Sequence, residues 1–190
     1  MIDPFENIKY DVEKKYWVQS FSGRKIDLLD TAIDSIVIED IAHSLSMLCR
    51  FKGHSKQFYS VAQHSVIVSY ICEPQYSFYG LLHDASEYVL GDMPAPLKRS
   101  GKINEYKKIE KILQGKIYNR FGLKDDEPDD IKRADLLALS TEAYNFMNPL
   151  HPDWKNIYNP LDIDIVALPP ADAETLFLSR FDQLFGKQNG

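Results

Sequence analysis

A histidine and an aspartate stand side by side in the middle of an apolar helical run, Tyr79-Gly80-Leu81-Leu82-His83-Asp84-Ala85-Ser86-Glu87, and a further carboxylate follows one turn later. Two more metal-capable side chains fall in helical segments elsewhere: His64 near the start of one, and Asp135 in the apolar stripe of another. Burying an unpaired ionisable group costs several kcal/mol or more. A fold that buries these faces must therefore give the groups a partner. One divalent cation shared by His64, His83, Asp84 and Asp135 satisfies all four, and it requires three helices to converge on one point.

The rest of the composition narrows the class. A chain of 190 residues with 44% apolar residues reads as one globular domain, residues 1–190, with a full core. No apolar run reaches the roughly 18–20 residues that span a bilayer, so no membrane partner is expected. The N-terminus carries acidic residues and no apolar stretch of the signal-peptide kind, and Cys49 and Cys72 lie among apolar neighbours as reduced core residues, which predicts a cytoplasmic setting. A net charge of −6 argues against binding a nucleic-acid duplex. A local group of Arg50, Lys52, Lys56, Lys98 and Arg99 can still hold the phosphates of a small anionic substrate, or be plain solvated charge.

Periodicity predicts an all-α fold of about six helices with a small N-terminal β-hairpin, Trp17–Phe21 and Arg24–Leu28 around Ser22-Gly23. Residues 1–37 form an N-terminal extension with that hairpin, 38–148 a helical core, and 149–190 a C-terminal loop and helix. Ile38, Ile41, Ala42, Leu45 and Leu48 make the first helical stripe, which stops near Arg50. Ser60-Val61-Ala62-Gln63 is a capping box that opens the helix of His64. A continuous helix is expected from about Phe78 to Leu90, ended by Gly91, with a rigid loop over 92–96. Further helices are expected over about 102–121, from Ile131 to about Asn148 behind an Asp129 or Asp130 cap, and over Asp172–Phe185.

On a continuous helix His83 and Glu87 share a face, and Asp84 projects from its edge. Taken singly, each residue has an ordinary alternative: Asp135 as a buried aspartate paired to an arginine, His64 as a satisfied core histidine. Their joint occurrence on three helices argues for a shared ion. Two imidazoles and two carboxylates without thiolates suit Mn²⁺, Co²⁺, Fe²⁺ or Zn²⁺ rather than a structural zinc site, with Mg²⁺ a further alternative.

The order H…HD…D resembles the HD-domain metal-dependent phosphohydrolases. The segments Ser60-Val61-Ala62-Gln63-His64-Ser65, His83-Asp84-Ala85-Ser86-Glu87, Gly91-Asp92-Met93-Pro94-Ala95-Pro96-Leu97-Lys98 and Ala134-Asp135 look like those of the bacterial 5′-deoxynucleotidases and the phage HD-domain dATP triphosphohydrolases, over roughly residues 23–145. The resemblance implies that His64, His83, Asp84 and Asp135 are metal ligands, that Glu87 and Asp92 are the catalytic acidic residues, and that Arg50 with Phe51 lies near substrate phosphate and sugar. Lys98 is a further candidate for phosphate charge. His43 and His54 are either structural or phosphate contacts. The implied activity is hydrolysis of a deoxynucleotide, releasing phosphate from a dNMP or triphosphate from a dNTP such as dATP, in a homo-oligomeric enzyme. The longer lead-in before Arg50 leaves the number of phosphates open. The absence of a Gly-Tyr-Pro motif after the HD pair disfavours a cyclic-dinucleotide phosphodiesterase. The rival reading is a catalytically silent nucleotide-binding or regulatory module, against which the intact ligand set and Glu87 stand.

Overall fold

The computed structural model of the protein describes residues 16–147, 149–156 and 159–188. The lead-in over 1–15, Asn148 and Tyr158 lie outside them. The described residues are mostly helical, with a two-stranded antiparallel hairpin, β1 Trp17–Gln19 and β2 Lys25–Asp27, in the register Val18↔Ile26. The helices are α1 Ile38–Met47, α2 Val61–Ile71, α3 Ser77–Leu82, α4 Glu87–Leu90, α5 Ala95–Arg99, α6 Asn104–Arg120, α7 Asp129–Phe146 and α8 Pro170–Gln188. The all-α class with its hairpin is thus the observed one. Among the described residues no helix is long and apolar enough to cross a membrane.

Helix α2 is the axis of the fold. Ser60 accepts the Gln63 backbone N–H at 3.1 Å, the first half of the expected capping box. The second half is absent, because the Gln63 side chain turns outward: its Nε2 donates to Val166 O and its Oε1 accepts from Leu168 N, which straps the C-terminal segment over the helix. Most of α2 is buried, with α1, α3, α7 and α8 around it. The main core runs from Ile26 through Ile41, Leu45, Leu81, Leu82, Leu113 and Ile117 to Phe177 and Leu184, and a second cluster joins Val68 and Cys72 to Ile131, Ala134 and Ala138 of α7. Cys49 and Cys72 are both free thiols.

Gly80 sets how closely α3 approaches α2. A Cβ there would stand 2.7 Å from Cys72 Sγ and 3.1 Å from Ser69 Cα, closer than packed atoms allow. This close approach seats α3 against the last turn of α2.

Three expectations are corrected. The helix over 78–90 is broken: α3 ends at Leu82 and α4 begins at Glu87. Between them the backbone tightens to i→i−3 bonds, Ala85 N to Leu82 O, Glu87 N to Asp84 O and Tyr88 N to Ala85 O. The cause is Gln114 of α6, whose Oε1 accepts the Ser86 N–H at 2.9 Å while its Nε2 donates to Leu82 O at 2.7 Å. Ser86 and Leu82 are the i→i−4 pair that a continuous helix would join, so an inserted amide holds it open. Second, the rigid loop after Gly91 gives way to α5 at Ala95. Third, α7 begins at Asp129 behind Pro128 without a side-chain cap. Asp130 instead accepts from Glu73 N and from Arg133, and both aspartates lie in the first turn, where the helix dipole favours them.

Candidate metal centre and cleft

Helices α2 and α7 and the tightened turn after α3 bring His64, Asp135, His83 and Asp84 together. The His64 ring is fully buried, and its Nδ1 donates to Glu142 Oε1 at 2.6 Å. The His83 Nδ1 donates to Gly80 O at 2.9 Å. With both Nδ1 atoms engaged, both Nε2 atoms turn to a common centre, and both are buried without an aligned hydrogen-bond partner among the described residues. Carboxylate oxygens stand across from them. Asp84 Oδ2 lies 3.6 Å from His64 Nε2 and 3.2 Å from His83 Nε2, and Asp135 Oδ1 lies 3.2 and 4.0 Å from the same two atoms.

These spacings fit a shared cation. Two donors about 2.1 Å from one ion stand about 3.0 Å apart at a right angle and about 4.2 Å apart when opposite. The ligand atoms of His64, His83 and Asp84 all fall within 4.8 Å of one another. The electrostatics agree. Burial and Arg50 push His64 down, but Glu142 and Asp135 overcome them and raise it above its ordinary value. Burial opposes the same shift at His83, yet Asp84 and Asp135 lift it to about 10. Burial would raise Asp84, and His83, His64 and Arg50 instead hold it well below the carboxylate range. A dication at this centre would counter the same carboxylates that raise the two imidazoles, and its binding would displace any proton they carry.

Glu142 is the residue that sequence reasoning missed. It is completely buried and accepts from His64 Nδ1, from Tyr59 Oη at 2.8 Å and from Arg50 Nη2 at 3.3 Å. Burial raises its pKa, but His64 and Arg50 overcome this and keep it ionised. It lies two turns beyond Asp135 on the stripe Ile131, Asp135, Ala138, Glu142, and that spacing was the available signal.

Arg50 does not stand at the end of the first helix, where the helical stripe was expected to stop. Helix α1 stops at Met47, and Arg50 opens a tight turn in which Phe51 (φ 54°), Lys52 (φ 54°) and Gly53 (φ 77°) are all left-handed. For the two non-glycine residues this costs about 1–2 kcal/mol each. Such strain is retained where the surroundings over-determine it, and here the Arg50 N–H bonds Tyr59 O at 2.8 Å. The turn sends the Arg50 guanidinium inward between Glu142 and Asp84, 3.7 Å from Asp84 Oδ2, with Nε unpartnered. Phe51 faces Trp154 edge-on.

Of the remaining candidates, Glu87 and Lys98 line a cleft of about 440 Å³, whose walls also hold His83, Asp84, Lys107 and Lys111 beside the acidic residues at 110 and 125–127. Glu87 is buried, its Oε2 has no hydrogen-bond partner among the described residues, and burial, Asp84 and Asp92 push its carboxyl up to about 9. Lys98 bonds Glu110 and lies 3.9 Å from Glu87 Oε1. Asp92 pairs with Lys52 at 3.0 Å. His43 bonds Glu174 and stacks on Phe21, which accounts for it structurally.

No family model matches the sequence. The Escherichia coli protein YfdR is 36% identical over 171 residues, covering 88% of this chain and 95% of YfdR. The chain belongs to the YfdR family. A second relative, from Rhodobacter capsulatus, is 34% identical over 197 residues and covers 93% of this chain and all of its own length. Both relatives carry the description "uncharacterized", so the YfdR family gives this chain kinship along its length and the chemistry rests on the site.

Proposed function

We propose that this protein is a divalent-metal-dependent phosphohydrolase of the HD-domain kind, acting on deoxynucleotides. One observation carries the reading: two buried imidazole nitrogens without hydrogen-bond partners converge with Asp84 and Asp135 at the edge of a lysine-bearing cleft. The N/O donor set suits Mn²⁺, Co²⁺, Fe²⁺ or Zn²⁺. When bound, such an ion supplies Lewis acidity toward a phosphoryl oxygen and an acidified water.

The chain's own residues do the rest. Glu142 and the Gly80 carbonyl fix the two rings, so that each presents Nε2. Glu87, held protonated by burial and its acidic neighbours, orients the attacking water or exchanges a proton with it, and a cation nearby would draw its pKa back toward neutrality. Asp92 is the second acidic candidate. Lys98, with Lys107 and Lys111 along the same cleft, counters phosphate charge, and Arg50, 3.7 Å from Asp84 and next to Phe51 in the chain, adds positive charge beside the metal centre. A cytoplasmic homo-oligomer is part of the proposal, supported by free cysteines and by exposed Tyr16, Trp17, Phe21 and Tyr144.

A panel of dNMPs, NMPs and dNTPs with Mn²⁺, Co²⁺ or Mg²⁺ tests the reading. We expect deoxynucleotide turnover with a transition metal and none after chelation, with the product, phosphate or triphosphate, defining the substrate. Failure of every nucleotide with every metal would overturn it.

A further inference from the structure

Gln114 has no place in the ligand set, yet it determines the backbone that carries His83, Asp84 and Glu87. Its carboxamide bonds Ser86 N and Leu82 O, the two groups that would otherwise bond each other. The consequence is rotational. Residues turn about 100° each in an α-helix and about 120° each in a tightened i→i−3 segment. In a continuous helix Glu87 would sit about 40° from His83 and about 60° from Asp84. In the tightened turn Asp84 and Glu87, three apart, eclipse instead. The bond from Glu87 N to Asp84 O at 3.0 Å is the backbone record of that alignment. Gln114 is half-buried in the cleft wall, anchored on α6 by the buried Leu113 and Ile117 beside it. A rigid element therefore holds the amide in the gap.

We propose that Gln114 is a positioning residue: by splicing its amide into the Leu82–Ser86 pair it turns Glu87 away from the His83 face and into line with Asp84. The side chain bonds the Ser86 N–H and the Leu82 carbonyl and acts through the backbone. The consequence for turnover rests on the phosphohydrolase reading, and the consequence for geometry does not.

The test uses the whole isotope-labelled chain and compares wild type with Gln114→Met, which keeps the length and apolar stem but removes the amide. Through-hydrogen-bond scalar couplings in the metal-free protein identify the acceptor of the Ser86 amide. Wild type should couple Ser86 N to the Gln114 side-chain carbonyl. Gln114→Met should couple it to the Leu82 backbone carbonyl, and with Mn²⁺ loaded its kcat should fall about 10–100-fold, while KM and Mn²⁺ affinity stay close to wild type. A folded Gln114→Met protein without the Ser86–Leu82 coupling, or with that coupling and unchanged kcat, overturns the proposal. If Gln114→Met does not fold, Gln114→Glu carries the test: it keeps the acceptor for Ser86, so the coupling should stay on residue 114, and its transfer to Leu82 would overturn the proposal. A wild-type protein that hydrolyses no nucleotide but shows the predicted couplings would sink the phosphohydrolase reading and leave the geometric role of Gln114 established.

Discussion

Replacing Glu142 with alanine should destabilise the protein by about 3–5 kcal/mol, because it strips a buried arginine and a buried imidazole of their common counter-ion. Arg50 would keep only Asp84, at 3.7 Å, and the Tyr59 hydroxyl and His64 Nδ1 would lose the acceptor they share. In a fold whose total stability is about 5–15 kcal/mol, this is a large fraction. For a chain of this size each kcal/mol moves Tm by about 2–4 °C, so a fall of roughly 6–20 °C is expected in thermal unfolding. Glu142→Gln should fall between wild type and alanine, since the amide oxygen can still accept one of the three bonds. Metal affinity should weaken about 10–100-fold in Glu142→Gln, because the His64 ring loses its charged anchor. A Glu142→Ala protein as stable as wild type would show that the cluster is not the buried network described.

Glu87→Ala should lower kcat by about 10²–10⁴ while metal occupancy, read by equilibrium dialysis, stays near that of wild type. Loss of metal in this variant would instead make Glu87 a ligand or a support for one. Glu87→Gln separates proton exchange from orientation, because the amide can hold a water but cannot trade a proton at neutral pH. The same carboxyl leaves a mark on stability. Its folded pKa of about 9 lies above the ordinary 4.5, so the native state binds more protons than the unfolded chain between those values. Stability of the metal-free protein should therefore fall as pH rises from about 4.5 through 9. His83, raised from 6.5 to about 10, acts in the same direction: its contribution is complete below 6.5 and lost as pH climbs through 10. Denaturant unfolding of the chelated protein at pH 6 and pH 9 measures this slope, and Glu87→Gln should flatten it.

What could be read from the sequence depended on how local its cause was. The Ser60 cap and the stripes of α1, α6, α7 and α8 follow from residues three and four apart, and the helices lie close to where the period places them. The convergence of His64, His83, Asp84 and Asp135 was legible because ionisable residues on apolar faces require a partner. The break after Leu82 was not, because its cause is an amide 28 residues away from Ser86. The left-handed turn at Phe51 and Lys52 gave no signal either, since neither residue favours that conformation, and its causes are distant: the Arg50 N–H on Tyr59 O and the Arg50 guanidinium against Glu142 and Asp84. Glu142 stood on a readable stripe, but it sits in the polar run Ser140-Thr141-Glu142, which reads as a solvated face.

The central claim is that these four side chains hold one divalent cation. Diffraction from crystals grown with Mn²⁺, collected where manganese scatters anomalously, tests it most directly. The account predicts a single strong anomalous peak about 2.0–2.3 Å from His64 Nε2, His83 Nε2, Asp84 Oδ2 and Asp135 Oδ1. Well-ordered crystals with no peak among these four atoms would contradict it.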